Sequence, residues 1–269
     1  MERPSCSALI RTFNSSETLH ITLASLAGQT HPPDQYVFVD SGSTDGTLES
    51  VPNGSVVHRF IGTDFNYSDS LNQGLAYVDT DCVLIISSHT TLWNPHALES
   101  AIRLLMESDH IGAAYFSHYN NSGMLRYTLV DEASFNGFNG LWNTCSLIKV
   151  ALLRKRGFVR DVFAAEDQEW AAWLFRDEKK AVACFSGAET YLNNPRKFSR
   201  KKRVNEYVCV AYFVKHDLLG WRNLAKIVWR ICKQPGPRLA MKERYFNFVL
   251  FFRLLSCYLV KPRSRSRYF

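Results

Sequence analysis

Three groups of residues in this chain have the types and spacing to do chemistry. The run Phe38-Val39-Asp40-Ser41-Gly42-Ser43-Thr44-Asp45-Gly46-Thr47 ends an apolar segment in a carboxylate and follows it with a turn of small hydroxyl residues and glycine. A carboxylate held where a strand stops accepts hydrogen bonds from a ribose or a nucleobase edge, and ligands of open α/β sheets sit at those strand ends. The same residues also fit a strand, an Asx-type turn and a helix cap with no ligand. Upstream, Ala8-Leu9-Ile10-Arg11-Thr12-Phe13-Asn14-Ser15-Ser16-Glu17 is a second apolar strand ending in polar residues, with Thr12 and Asn14 as candidate ligand contacts or helix caps. The third group is Glu166-Asp167, at the head of a helical pattern running to Leu174. The helix dipole favours a carboxylate there, so Asp167 is expected to stay ionised and able to take a proton; a plain helix cap is the alternative.

The elements that must position these residues follow from periodicity. After the first strand, Leu19, Leu23 and Leu26 share one helical face, and Gln29-Thr30-His31-Pro32-Pro33 closes that helix because proline cannot continue it. Strand, helix, strand, helix is the unit that builds a parallel sheet with right-handed crossovers. Further strands are expected at 56–61 and 82–87, the latter a continuous apolar run suited to the middle of a sheet, with helices at 68–78 and 95–108. Residues 111–130 read as a hairpin about Asn120-Asn121-Ser122-Gly123, 135–144 as an ordered loop, 147–156 as helical and 181–185 as a closing strand. The expected architecture is α/β, a mostly parallel Rossmann-like sheet with flanking helices over 1–194. A basic and amphipathic helical appendage follows over 195–269, with helices at about 203–216, 221–233 and 239–260.

In order and spacing, Ile10-Arg11-Thr12-Phe13-Asn14, Ser25-Leu26-Ala27-Gly28-Gln29-Thr30-His31-Pro32-Pro33 and the Tyr36 to Thr47 segment resemble the amino-terminal half of family-2 glycosyltransferases. These are enzymes of the nucleotide-sugar-binding GT-A fold, here in a rhamnosyltransferase-like form. The resemblance runs more weakly to about Phe185 and does not reach the last third of the chain. It implies transfer of a sugar from a nucleotide-diphosphate donor to a hydroxyl of a glycan or lipid-linked acceptor, with inversion if displacement is single. It places Thr12, Asn14 and Asp40 on the nucleobase and ribose, with Ser43 and Asn72 as weaker companions and Ser88 and His89 near the donor. Asp167, beside Glu166, becomes the base that takes the acceptor proton. Trp142 and Trp170 are candidate walls of the acceptor site, although buried aromatics are commonly core.

At the leaving-group site the chain departs from that pattern. Members of the family carry an Asp-x-Asp type motif that binds Mg2+ or Mn2+ after the fourth strand; here the place reads Ser87-Ser88-His89-Thr90. The His-rich segment of many relatives reads Tyr191-Leu192-Asn193-Asn194. His89 alone makes a weak metal ligand. Metal dependence therefore stays open, and the basic cluster Arg196, Lys197, Arg200, Lys201 and Lys202 is the other candidate for neutralising a diphosphate, unless it is a solvated loop.

A length of 269 residues with 46% hydrophobic content suits one large domain plus an appendage and excludes global disorder. The net charge of +7 gathers in the second half, which points to an anionic partner. Seven scattered cysteines without a CxxC pair argue against a zinc site and for a reducing cytosol, and Met1-Glu2-Arg3-Pro4-Ser5 runs straight into the first strand, so no leader is expected. The apolar stretch Tyr245 to Val260 is short for a span of roughly 20 residues and is interrupted by Arg253. An interfacial helix on an anionic membrane surface fits better, with packing on the domain as the alternative. No nucleic-acid module is recognisable. Two rival readings accompany the enzyme: a nucleotide-sugar-binding protein without catalysis, and a membrane-surface assembly protein.

Overall fold

A computed structural model describes residues 3–61, 65–118, 123–193, 200–233 and 239–263. The chain runs β1 (Cys6–Thr12), α1 (Ser16–Ala27), β2 (Gln35–Asp40), β3 (Val56–Arg59), α2 (Tyr67–Leu75), β4 (Cys82–Ser87), β5 (Thr90–Leu92) and α3 (Ala97–Glu107). It continues through β6 (Ile111–Phe116), β7 (Arg126–Val130), β8 (Cys145–Lys149), α4 (Val150–Lys155), α5 (Glu166–Arg176), β9 (Ala181–Ser186) and β10 (Thr190–Leu192). The carboxyl-terminal region holds α6 (Arg200–Cys209), α7 (Trp221–Lys233) and α8 (Leu239–Ser256).

Eight strands form one mixed sheet in the order β3-β2-β1-β4-β8-β6-β9-β7. The half made of β3, β2, β1 and β4 is parallel, as the alternation of strand and helix predicts, and β6 with β9 is parallel too. Alternate residues of β1 feed two cores: Ala8 and Ile10 pack with Leu19 and Leu26 of α1 and with α3, while Leu9 packs with Leu71 of α2 and with α5. Gly74 of α2 is what lets that helix lie on the sheet, since a Cβ there would fall 2.4 Å from Leu9 Cδ1 and 2.7 Å from Val39 Cγ2.

Two expectations are corrected. Residues 111–130 are not a hairpin, because β9 inserts between β6 and β7, parallel to one and antiparallel to the other; residues 120–122 of the expected turn lie outside the described residues. The segment expected to be helical from 147 begins as strand β8, seated antiparallel between β4 and β6. Cys145, Leu147 and Ile148 are fully buried there, and only Val150 onward turns helical. Tertiary burial on both sheet faces overrode the local helical signal. A small antiparallel pair, β5 with β10, was not readable from sequence.

The carboxyl-terminal helices have their own apolar centre, with Val204, Val208 and Ala211 against Ile227, Phe246, Leu250 and Leu254. They also dock on the sheet domain. Cys209 and Val210 pack on Val162 and Ala165, and the Phe138 and Tyr207 rings meet tilted, 5.5 Å apart. Lys215 Nζ donates to Phe135 O at 3.0 Å, and Lys261 pairs with Asp161 at 2.5 Å. Among the described residues no helix is long and apolar enough to cross a membrane.

Candidate active site

The parallel register sets Thr12 beside Asp40, and the two ends bond directly: Thr12 Oγ1 donates to Asp40 Oδ1 at 2.9 Å. Asp40 also accepts from Ser43 Oγ at 2.5 Å and, through Oδ2, from the N–H groups of Gly42 and Ser43, both at 2.9 Å. Four donors meet one buried carboxylate, which leaves it little capacity for a ligand. Gly42 adopts φ of +90°, the turn that brings its N–H and the next back onto the acid. Asp40 therefore organises the loop, and the group the loop presents at half exposure is Ser41, whose hydroxyl makes no hydrogen bond to another described residue.

Neither Thr12 nor Asn14 caps a helix. Asn14 sits at φ of +45°, receives Thr44 N on its Oδ1 at 2.9 Å, and gives its own N–H to Ser43 Oγ at 3.0 Å. The two strand-end loops are thus stitched to each other. The start of α1 is capped from the second loop instead, with Ser16 N donating to Asp45 at 3.0 Å. Ser15 Oγ lies 2.8 Å from Ser88 Oγ, which joins the end of β4 to the same crevice. His89 is at the tip of the turn between β4 and β5, and its carbonyl accepts Asn193 N at 2.7 Å.

Asp167 reaches this edge by way of β8. Ser87 N donates to Thr144 O at 3.1 Å, and the preceding residue, Asn143, donates its N–H to Asp167 Oδ2 at 3.2 Å. Because β8 runs antiparallel to β4, its first residues lie at the sheet end where β1, β2 and β4 finish. The Asp40 loop and Asp167 consequently occupy one edge of the sheet.

The expectation of an ionised Asp167 is corrected. Burial, then the neighbouring Glu166 carboxylate, pushes its carboxyl up to about 8, against the lowering effect of the Asn143 and Gln168 N–H groups. Glu206 of α6 adds to the push, and its own carboxyl is raised, chiefly by burial. Trp142 is half-buried next to Asn143, packs on Tyr115 at 5.0 Å and stacks with His118 at 6.2 Å. His118 sits 3.1 Å from Thr144 Oγ1, and burial lowers its pKa, so the ring is neutral near pH 7.

Two predicted residues stand elsewhere. Trp170 is fully buried between Phe158 and Trp173 and donates Nε1–H to Arg156 O at 3.0 Å, so it is core and does not wall an acceptor site. Asn72 spends its amide on Phe158, giving Nδ2–H to the carbonyl at 2.8 Å and receiving the N–H at 2.9 Å; it clamps α2 to the segment before α5. Sequence reasoning missed Arg11, Asn143, His118 and Glu206. Arg11, the last residue but one of β1, holds its guanidinium 4.7 Å from the Tyr67 ring and has a buried Nη1 without a hydrogen-bond partner. Only the unpromising position of an arginine inside an apolar strand hinted at it.

The residues after β4 supply two hydroxyls and one imidazole, which do not suit a hard divalent cation that takes carboxylate oxygens. No cluster of three His, Cys, Asp or Glu side chains able to hold a metal occurs among the described residues. Arg196 and Lys197 of the basic run lie outside the described residues.

The family profile described as glycosyl transferase family 2 matches residues 7–166, more than half of the chain. The chain belongs to that family. No curated protein sequence matches it. Among solved structures it is similar to the mannosyltransferase PcManGT from Pyrobaculum calidifontis in complex with GDP-Man and Mn2+, at 17% identity and TM-score 0.58, over 95% of this chain and 74% of that one. TarS 1-349 of S. aureus is similar at 19% identity and TM-score 0.60, over 93% and 80% of the two chains. Glucosyl-3-phosphoglycerate synthase from Mycobacterium tuberculosis, in complex with Mg2+ and UDP, is similar at 14% identity and TM-score 0.57, over 77% of each. These likenesses show the GT-A fold for this family-2 glycosyltransferase.

Proposed function

We propose that this family-2 enzyme moves a hexosyl or rhamnosyl group from a nucleoside-diphosphate sugar to a hydroxyl of a glycan or lipid-linked acceptor, with inversion. Its place would be the cytoplasm, at the inner membrane face, in cell-envelope polysaccharide synthesis. The observation that carries the reading is the meeting of the Asp40-held loop and Asp167 at one sheet edge, through Ser87, Thr144 and Asn143. In this reading the nucleoside rests on the stitched loops, where Thr12, Asn14, Ser41 and Ser43 offer hydroxyl, amide and backbone groups. The acceptor oxygen attacks the anomeric carbon, the bond to the diphosphate breaks, and the acceptor proton passes to Asp167. A carboxylate with its pKa raised towards the working pH is a stronger base than an ordinary one. The Arg11 guanidinium, holding an unmet donor, is the group we assign to the leaving diphosphate.

The replacement Asp167→Asn tests the assignment. It should lower transfer by about 100-fold or more, the usual worth of a positioned base, while thermal shift still reports binding of UDP, GDP or dTDP. Undiminished turnover would remove Asp167 from the mechanism. Absence of binding to every nucleoside diphosphate would favour the scaffold reading, and binding without transfer to any acceptor the non-catalytic one.

A further inference from the structure

Roughly half of the large apolar side chains exposed among the described residues lie on α7, α8 and the turn after α8. Their order is helical. On α7, Trp221, Ala225, Val228 and Trp229 recur at the spacing of one face, and Trp221 is 73% exposed. Leu224, Ile227 and Ile231 form a different face, turned to the local core. Arg222, Lys226 and Arg230, all exposed, form a third face at successive intervals of four. On α8, Met241, Tyr245, Phe248, Phe252 and Leu255 make a continuous exposed stripe, while Phe246, Leu250 and Leu254 face inward. Each helix has satisfied its packing within the chain and still carries a second apolar face.

The charge decides what covers it. Helix α7 has no acidic residue, and the one acid of α8, Glu243, is paired with Arg203 at 3.2 Å. A second copy would bring the same cationic face against itself in a two-fold contact. A bilayer with anionic headgroups accepts the cations and the aromatic rings together, since Trp and Tyr favour the lipid–water boundary. Neither helix can cross the bilayer, so both must lie along it.

We propose that α7 and α8 hold the protein on an anionic lipid surface, with their aromatic stripes in the headgroup region and the α7 cations on lipid phosphates. The membrane face is separate from the transfer chemistry and stands without it. Its connection to the sheet domain is the packing of Cys209 and Val210 on Ala165, next to the Glu166-Asp167 pair.

The test is flotation of the full chain with vesicles of phosphatidylcholine alone and of phosphatidylcholine mixed with phosphatidylglycerol, at low and high salt. Binding to the anionic vesicles, weakened by salt and accompanied by a blue shift of tryptophan emission, is expected. The pair Trp229→Ser with Phe252→Ser should weaken it about tenfold or more. Arg222→Gln, Lys226→Gln and Arg230→Gln together should weaken it on the order of 100-fold at low salt. Neither set should unfold the chain, which circular dichroism checks, nor move nucleoside-diphosphate binding, so failure here is distinguishable from failure of the transferase reading. Absence of flotation, equal binding to neutral vesicles, or variants that float like the parent chain would overturn the proposal. So would a dimer in sedimentation equilibrium that the aromatic variants dissociate while vesicles bind nothing.

Discussion

At the scale of single residues, environment changes what a carboxylate does. Asp40 and Asp167 are both acids at the end of a regular element, yet one is saturated by four donors and the other is crowded by burial and Glu166. The folded state thus holds the Asp167 proton more tightly than the unfolded chain. It favours folding at low pH, and this contribution is lost as pH rises from the ordinary carboxylate range through about 8. Activity has the opposite slope, because only the ionised form is a base. We expect kcat/KM to climb about tenfold per pH unit below that midpoint and to level above it; a profile flat between pH 6 and 9 would contradict it. For Asp40 the contrast is between Ala and Asn. Asp40→Ala strands two N–H groups and two hydroxyls and should cost about 3 kcal/mol with a clear loss of nucleotide affinity. Asp40→Asn keeps one carbonyl for the N–H pair and offers its amide to hydroxyls that can turn to accept, so it should cost about 1 kcal/mol. Chemical denaturation and nucleotide titration of both variants check this, and equal losses would argue against the loop-organising role.

At the scale of elements, close approach matters more than helix propensity. The replacement Gly74→Ala gains about 1 kcal/mol of helix propensity but drives a methyl into Leu9 and Val39, and overpacking costs about 1–3 kcal/mol. The clash should win, lowering Tm by a few degrees and loosening α2 from the sheet; an unchanged or raised Tm would show that the core yields there. Strand β8 makes the same point from the other side. Its residues have mixed local preference, and what makes them a strand is the vacancy between β4 and β6. That placement carries Asn143 and Thr144 to the sheet edge and gives Asp167 its position.

For the whole molecule, the question is how a nucleoside-diphosphate leaving group is neutralised. The strand end that carries acids in the family carries Ser87, Ser88 and His89 here, while Arg11 holds an unmet donor. We expect transfer to survive EDTA, and Arg11→Gln to weaken nucleoside-diphosphate binding about tenfold at constant fold. Restoration of lost turnover by Mn2+ would return the reaction to metal assistance. The helical region belongs to the same arrangement, since Glu206 of α6 acts on Asp167 across the domain contact.

The sequence by itself determined the parallel half of the sheet, the strand-end acid and hydroxyl residues, the helix opened by Glu166-Asp167 and the three carboxyl-terminal helices, because periodicity and turn chemistry are local properties of the chain. Only the tertiary structure decided that Asp40 is spent on its own loop, that Trp170 is core, that β9 parts β6 from β7, that His118 meets Thr144 and Trp142 and that Glu206 acts on Asp167. Those outcomes depend on burial and on pairings between distant segments, where the number of donors around an acid and the water it loses are set by neighbours that no local pattern names.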